Sequence, residues 1–482
     1  MQTARAQPAI YQRALPELPV SALNQDLDYL KQQLQIYHPG LFLYTPRQEL
    51  FAAFDSLKKA IDGPVNEVEF LKMINPVVAR INCGHTGLRP SDRYHQYRNQ
   101  HAGFFPFKLH FIEDRAYIHY SFNNQQKLPK GTELLHINGE PVADIQQRLY
   151  RHIFTDGQIK TSKRHELNEW FWLYYSRFIA QPLQFELAFR LPDNTETITT
   201  GTFHAVQRQA IRTGHRALRP LSYHSLNTRE GQQTGLLRIR SFSREAIRKR
   251  GQKYSEFLKN SFAKIAEDGV QDLIIDLRGN EGGNDVFGSE LLSYLLQERF
   301  SYYHDLQVNP ATRQHIPFPH RLFVKIKKDP FNNLHFKSHR NLKLLKPQKR
   351  HNYQGRLYVL IDGGSFSAAT QFAAVAHHHN RALFIGEEGG GGYYSNTSGF
   401  SFEKRLPNSG IVVTIPGMKY QNAVSGYPWH NRGLLPDFEV QQGLNDWLNG
   451  RDTQLRFVLE LVTNPEVTAS VHKKYLKEKR GK

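Results

Sequence analysis

Ile361-Asp-Gly-Gly-Ser-Phe-Ser-Ala-Ala-Thr370 follows the apolar run Leu357-Tyr-Val-Leu-Ile361 and leads into Gln371-Phe-Ala-Ala-Val-Ala376. The first run reads as a buried strand and the last as an apolar helix, so Ser367 falls on a strand-to-helix turn. A serine there presents its hydroxyl at the end of a strand. The backbone N–H of Ala368 then lies at a helix N-terminus, without an intrahelical acceptor, where it can bind an oxyanion. The same turn equally suits a serine that only caps the helix.

A second run, Asp272-Leu-Ile-Ile-Asp-Leu-Arg-Gly-Asn-Glu-Gly-Gly-Asn284, has little polar alternation before its glycines and suits a parallel strand covered on both faces. Gly282 or Gly283 could supply a second oxyanion donor opposite Ala368, or could simply turn the chain. Strands expected at 236–240, 273–277, 357–361 and 383–385 alternate with helices at 254–266, 286–296 and 370–378. That alternation predicts an α/β domain with a mainly parallel sheet and a site beyond the C-terminal strand ends. In Ile81-Asn-Cys-Gly-His85-Thr86 a histidine follows glycine at the end of a helical segment. Nothing local separates His85 from a surface or capping histidine.

Leu23, Leu27, Leu30 and Leu34 recur at helical spacing, as do Leu50, Phe54, Leu57 and Ile61, and Phe70, Leu71, Ile74 and Val78. After residue 105 the texture changes to short alternating strands at 107–112, 115–120 and 133–137, the last ending in the hairpin signal Asn138-Gly139. The expected organisation is a flexible segment 1–20, a helical domain 21–90 and a β-rich domain 100–202 with inserted helices. A basic linker 203–232, a catalytic α/β domain 233–450 and a C-terminal helix with basic tail 451–482 follow. His85 and Ser367 thus belong to different domains, so that a site using both would sit in a cleft between them.

Gly84-His85-Thr86, Asp276-Leu-Arg-Gly-Asn-Glu-Gly-Gly283, Gly364-Ser-Phe-Ser-Ala368, Ile385-Gly-Glu-Glu-Gly-Gly-Gly-Gly392 and Gly433-Leu-Leu-Pro-Asp437 stand in this order along the chain. Together they resemble the serine peptidase family of C-terminal processing and tricorn core proteases, in its secreted bacterial branch. The resemblance implies a crotonase-like catalytic core and a peptidase with Ser367 as nucleophile and Ser365 as the alternative. It implies His85 as general base, and Ala368 with Gly282 or Gly283 as oxyanion hole. Leu128-Pro-Lys-Gly-Thr-Glu-Leu-Leu-His-Ile-Asn-Gly-Glu-Pro-Val142 is similar to the PDZ-like segment with which that family captures peptides. The chain departs from the pattern twice. No lysine lies between Ser367 and Lys404, against a Ser-Lys dyad, and the late glutamate of the tricorn branch falls at His430 or Asn431. The residue that orients His85 is left unassigned.

Glu388, Tyr393 and Tyr394, flanking the run Gly389 to Gly392, are expected to form a mobile loop beside the substrate cleft. The run lacks the Lys-Ser or Lys-Thr of a phosphate loop. His377-His378-His379 fans around a helix and cannot converge on one metal, so no metal and no cofactor are expected. The formal charge is +19, and Arg313 to Arg350 holds eleven Lys or Arg against Asp329 alone. No nucleic-acid-reading motif accompanies the charge, which leaves solvated loops or an anionic surface as its partner. Cys83, the one cysteine, permits no internal disulfide and reads as a buried small hydrophobe. No stretch approaches eighteen apolar residues, so no transmembrane segment is expected. Ala4-Arg5-Ala6 looks like the tail of a secretory cleavage site whose apolar core is missing, either a trimmed signal or a chance match; with the resemblance to the secreted branch the expected location is periplasmic or extracellular. The expected partner is a peptide or unfolded protein. Two rivals share the fold: a catalytically silent peptide-binding protein, and acyl-CoA chemistry, against which the Gly-Ser-x-Ser-Ala turn and the PDZ-like segment weigh.

Overall fold

The computed structural model describes residues 15–112, 114–123, 127–211, 219–229, 232–314, 325–330 and 333–464. Ala4-Arg5-Ala6, parts of both basic runs and the tail after 464 lie outside them. The fold is mixed α/β, multidomain, with several sheets. One compact unit comprises Met1–Arg216, Asp305–Ser338 and Asn396–Tyr420; the other comprises Ala217–His304, His339–Ser395 and Gln421–Lys482. Among the described residues no helix is long and apolar enough to cross a membrane.

The first unit starts as its leucine spacing requires. Helix Val20–Tyr37 buries Leu23, Leu27, Leu30 and Leu34. Helices Arg47–Ala60 and Glu67–Ala79 add Leu50 and Phe54, then Phe70, Leu71, Ile74 and Val78, to the same core. Asn66 caps the third helix by accepting the N–H groups of Val68 and Glu69. Strands β1 (Glu17–Leu18) and β2 (Val65–Asn66) pair antiparallel, which ties down residues that the sequence assigns to a flexible leader. Helix Asp92–His101 carries too few apolar residues for a stripe, and periodicity does not announce it. It starts because Ser91 Oγ accepts the Tyr94 N–H at 3.1 Å.

Beyond β3 (Gly87–Arg89) comes an antiparallel sheet in the order β4 (Phe107–Ile112), β5 (Arg115–Ser121), β6 (Glu133–Ile137), β8 (Gln184–Leu191), β9 (Asn194–His204), with β7 (Glu140–Pro141) beside β6. Phe105 meets Phe107, Phe171 and Phe185 edge to face, fixing helix Lys160–Phe178 on this sheet. β9 is an edge, and most of its residues are exposed.

The sheet of the second unit runs β10 (Leu221–Arg229), β11 (Gln232–Ile239), β12 (Asp272–Asp276), β16 (Arg356–Ile361), β17 (Leu383–Gly386), β20 (Phe438–Glu439). The first pair is antiparallel and the others parallel. β10 falls inside the expected basic linker 203–232; its polar residues suit an edge strand, which packs one side only. All five residues of β12 are buried. Leu236, Ile274, Tyr358, Leu360 and Ile385 pack with Val458 and Val462 of helix Thr453–Thr463. Asp276 lies opposite Leu360, and Leu277 N–H donates to the Leu360 carbonyl at 3.0 Å. The chain therefore leaves both strands side by side.

A further sheet has the order β14 (Ile326–Lys328), β15 (Leu334–Phe336), β13 (Tyr303–Val308), β19 (Val412–Asn422), β18 (Ser395–Arg405), with β3 pairing β19. Segments Asp305–Ser338 and Asn396–Tyr420 thus join the first unit, although the sequence places them in the catalytic domain 233–450. A boundary read along the chain cannot register strands that pair back across it.

Arg278 holds the end of β12 to the C-terminal helix. Its Nε and Nη2 donate to Asp276 at 2.9 Å each, and its Nη1 and Nη2 to Asp452 at 2.7 Å each, with Gln454 Oε1 at 2.8 Å. Every guanidinium N–H is used, and Asp276 is buried. Breaking such a network strands the buried Asp276 carboxylate, so Arg278→Met should destabilise the protein by about 3–5 kcal/mol. Denaturant unfolding checks this, and a loss below about 1 kcal/mol would mean that the network is solvent-screened.

Candidate active site

The two loops leaving β12 and β16 are bound to each other. Asp362 Oδ1 accepts Gly279 N–H and Gly364 N–H, each at 2.9 Å. Ser365 Oγ donates to the Leu277 carbonyl at 2.8 Å, and Phe366 N–H donates to the Asn280 carbonyl at 3.0 Å. Asn280 is fully buried; its Nδ2 donates to the Ile239 carbonyl and its Oδ1 accepts Gly282 N–H at 2.9 Å. Asp362 and Asn280 were not singled out from the sequence. Their signal is an Asx residue ahead of glycines, the pattern in which a short side chain bonds nearby backbone N–H groups.

Within this lock Ser367 adopts φ 54° and ψ −120°. A non-glycine residue there carries strain of about 1–3 kcal/mol. Its side chain makes no capping hydrogen bond to helix Ala368–His378, which removes the capping explanation for a serine at this place. The residue is partly accessible, whereas Ser365 is 1% exposed with its hydroxyl committed to Leu277 and to the N–H of Asp362 at 3.1 Å. Sharp strand-to-helix turns with positive φ are how nucleophilic serines are held clear of the backbone. Gly282 lies against this turn at φ 93°. A Cβ there would come within 2.7 Å of Ser367 Cβ and 2.9 Å of Ala368 N. Gly282 N–H is already spent on Asn280, which leaves Gly283 as the glycine amide without an acceptor among the described residues.

The glycine run is not a mobile loop. Gly389 to Gly392 are buried; Gly390 N–H donates to the Ser365 carbonyl at 2.9 Å and Gly391 N–H to Thr370 Oγ1 at 3.2 Å. A Cβ on Gly390 would come within 2.1 Å of the Gly363 carbonyl oxygen, so the run is glycine because backbone packs on backbone. Tyr393, expected beside the cleft, is 1% exposed, stacked on Tyr427 at 3.9 Å and bonded through its hydroxyl to His377 Nδ1 at 2.9 Å. Glu388 is buried and paired with Arg432 at 2.7 and 2.8 Å, and it also accepts Gly433 N–H. Tyr394 stacks on His430 at 4.6 Å. Glu388 and Tyr393 are thus enclosed, with their polar groups committed to neighbouring residues.

His85 belongs to the first unit, on the turn between helix Glu67–Ala79 and β3. Gly84 N–H donates to buried Asp156 Oδ1 at 2.8 Å, and Thr86 Oγ1 meets His38 Nε2 at 3.0 Å. Cys83, buried as expected, meets Thr397 Oγ1 at 2.7 Å. Burial of the ring lowers the His85 pKa to about 4, below the ordinary 6.5. It is therefore a neutral imidazole down to about pH 4, able to accept a proton. An NMR titration of the ring should show its midpoint near pH 4; a midpoint near 6.5 would mean that water reaches it freely. Stability has the same sign: the unfolded chain binds this proton first, so stability falls as pH drops from about 6.5 toward 4.

Residues 233–440 match the family model of peptidase family S41. No curated protein sequence matches the chain. Among solved structures, mature CPAF is 16% identical over 92% of this chain and 96% of its own, with a TM-score of 0.66. Mature CPAF complexed with lactacystin gives 16% over 94% and 99%, at 0.68. At that identity the likeness is one of fold. The match to peptidase family S41 spans residues 233–440, and that stretch of the chain is similar to the serine-type peptidases of the family.

Proposed function

We propose that the chain hydrolyses peptide bonds with Ser367 as nucleophile and His85 as general base. The observation that carries the reading is the strained, non-capping geometry of Ser367. In the proposed reaction neutral His85 takes the Ser367 proton as Oγ attacks the scissile carbonyl. The imidazolium then protonates the leaving amine, and water releases the acyl group by the same exchange in reverse. Ala368 N–H, with Gly283 N–H, receives the oxyanion; each such donor is worth roughly 100- to 1000-fold in kcat. Ser365 keeps the turn in place. The parallel sheet of the second unit fits a crotonase-like core, and the antiparallel sheet β4 to β9 fits a PDZ-like module. Its exposed edge β9 offers unpaired strand groups to an extended peptide. A periplasmic or extracellular location suits such a peptidase, and an anionic surface is a partner for the basic stretches.

Ser367→Ala should abolish hydrolysis of an unstructured protein substrate with little change in unfolding midpoint, while Ser365→Ala should lose stability by roughly 1–3 kcal/mol, since it strands buried polar groups. If Ser367→Ala keeps full activity, the assignment is wrong. The acid limb of kcat/KM against pH should have an apparent pKa near 4, where His85 becomes protonated. A limb near 6.5 that His85→Ala leaves unchanged would remove His85 as the base.

A further inference from the structure

A cavity of about 540 Å³ lies wholly in the first unit, between the connection that follows helix Val20–Tyr37 and the strands β13 and β19. None of the roles above uses it. Pro39, Leu41, Phe42 and Leu43 give it an apolar wall, and Lys419 and Arg47 are its cations.

The cations are placed in an uncommon way. Lys419 is half-buried on β19, and among the described residues its ammonium makes no hydrogen bond or ion pair. Burial lowers its pKa, which is what an ammonium without a counter-charge undergoes. The carboxylate whose field reaches it, Asp305, is already engaged by His335 Nδ1 at 2.7 Å, Gln307 Nε2 at 3.1 Å and Lys337 Nζ at 3.3 Å. The Arg47 guanidinium rests over the rings of Phe42 and Phe51, 5.7 and 5.2 Å from their centroids. It is thus oriented before any ligand arrives. Among the described residues no carboxylate lines the cavity.

The cavity also adjoins the His85 turn. His38, which lines it, accepts Gly40 N–H on Nδ1 at 3.1 Å, so Nε2 carries the ring proton and donates to Thr86 Oγ1 at 3.0 Å. One hydrogen bond separates the cavity wall from the residue that follows His85.

We infer that this cavity is a specificity subsite for an acidic side chain of the peptide substrate, whose carboxylate Lys419 and Arg47 would meet while its methylenes lie on the apolar wall. The inference rests on the peptidase reading. A carboxylate would give the Lys419 ammonium the counter-charge it lacks, whereas a neutral amide could only accept a hydrogen bond from it.

The test uses the full chain and peptide pairs with Glu or Gln at successive positions around the scissile bond, each with a free or an amidated C-terminus. Hydrolysis by the wild type and binding by Ser367→Ala are measured in parallel. At one position Glu should be favoured over Gln by about tenfold, mainly through KM, as for a charge-assisted hydrogen bond. Lys419→Gln should bring the ratio close to 1, and Lys419→Arg should restore it. Peptides cut with no Glu preference at any position, or a preference that Lys419→Gln leaves intact, overturn the subsite but not the peptidase. A Lys419-dependent preference for the free C-terminus over the amide assigns the cavity to a tail carboxylate and overturns the side-chain assignment. Glu-selective binding without hydrolysis retains the subsite and removes the peptidase reading, and absence of both binding and hydrolysis removes both.

Discussion

The carboxylate of Asp362 is the contact on which the candidate site depends. One oxygen accepts an N–H from each of the two loops that leave adjacent parallel strands, Gly279 from one and Gly364 from the other. Ser365 and Phe366 add the crossing bonds to Leu277 and Asn280. A residue at φ 54° survives only where its surroundings over-determine it, and these bonds are what hold Ser367 there. The strain is local; the frame that opposes it extends through Arg278 to the C-terminal helix.

Burial divides the chemistry between two groups of opposite need. A general base must be neutral, and enclosure favours the neutral form of His85 by lowering its pKa to about 4. In the proposed reaction the accompanying cost is basicity, since a weaker base would take the serine proton less readily. Lys419 shows the same physics from the other side. Its charge is only partly solvated and, among the described residues, unpaired, so that the first unit holds both a neutral imidazole and an ammonium that an anion would stabilise.

Much of this was legible in the residues. The run 357–361, the serine turn and the glycines after Asp276 gave the parallel sheet and the position of Ser367, because buried strands and glycine turns are local signals. The helices of the first unit followed from leucine spacing. What local pattern could not reveal was long-range pairing: β10 at a sheet edge, and strands from 305–338 and 396–420 returning to the first unit. The run Gly389 to Gly392 was misread for the same reason. Glycine signals flexibility in isolation, but here the neighbouring backbone of Gly363 leaves no space for a side chain. Helix Asp92–His101 was missed because a capped polar helix has no stripe. The pKa of His85 depends on enclosure, which sequence does not contain.

The central claim is that Ser367 is held in strain so that its hydroxyl acts as a nucleophile. The direct measurement is peptide mapping by mass spectrometry after reaction of the full chain with a fluorophosphonate. The account predicts a single adduct on Ser367, formed at a rate that falls with protonation of a group of pKa near 4. An adduct on Ser365, or none at Ser367 in a protein that still hydrolyses peptides, would contradict it.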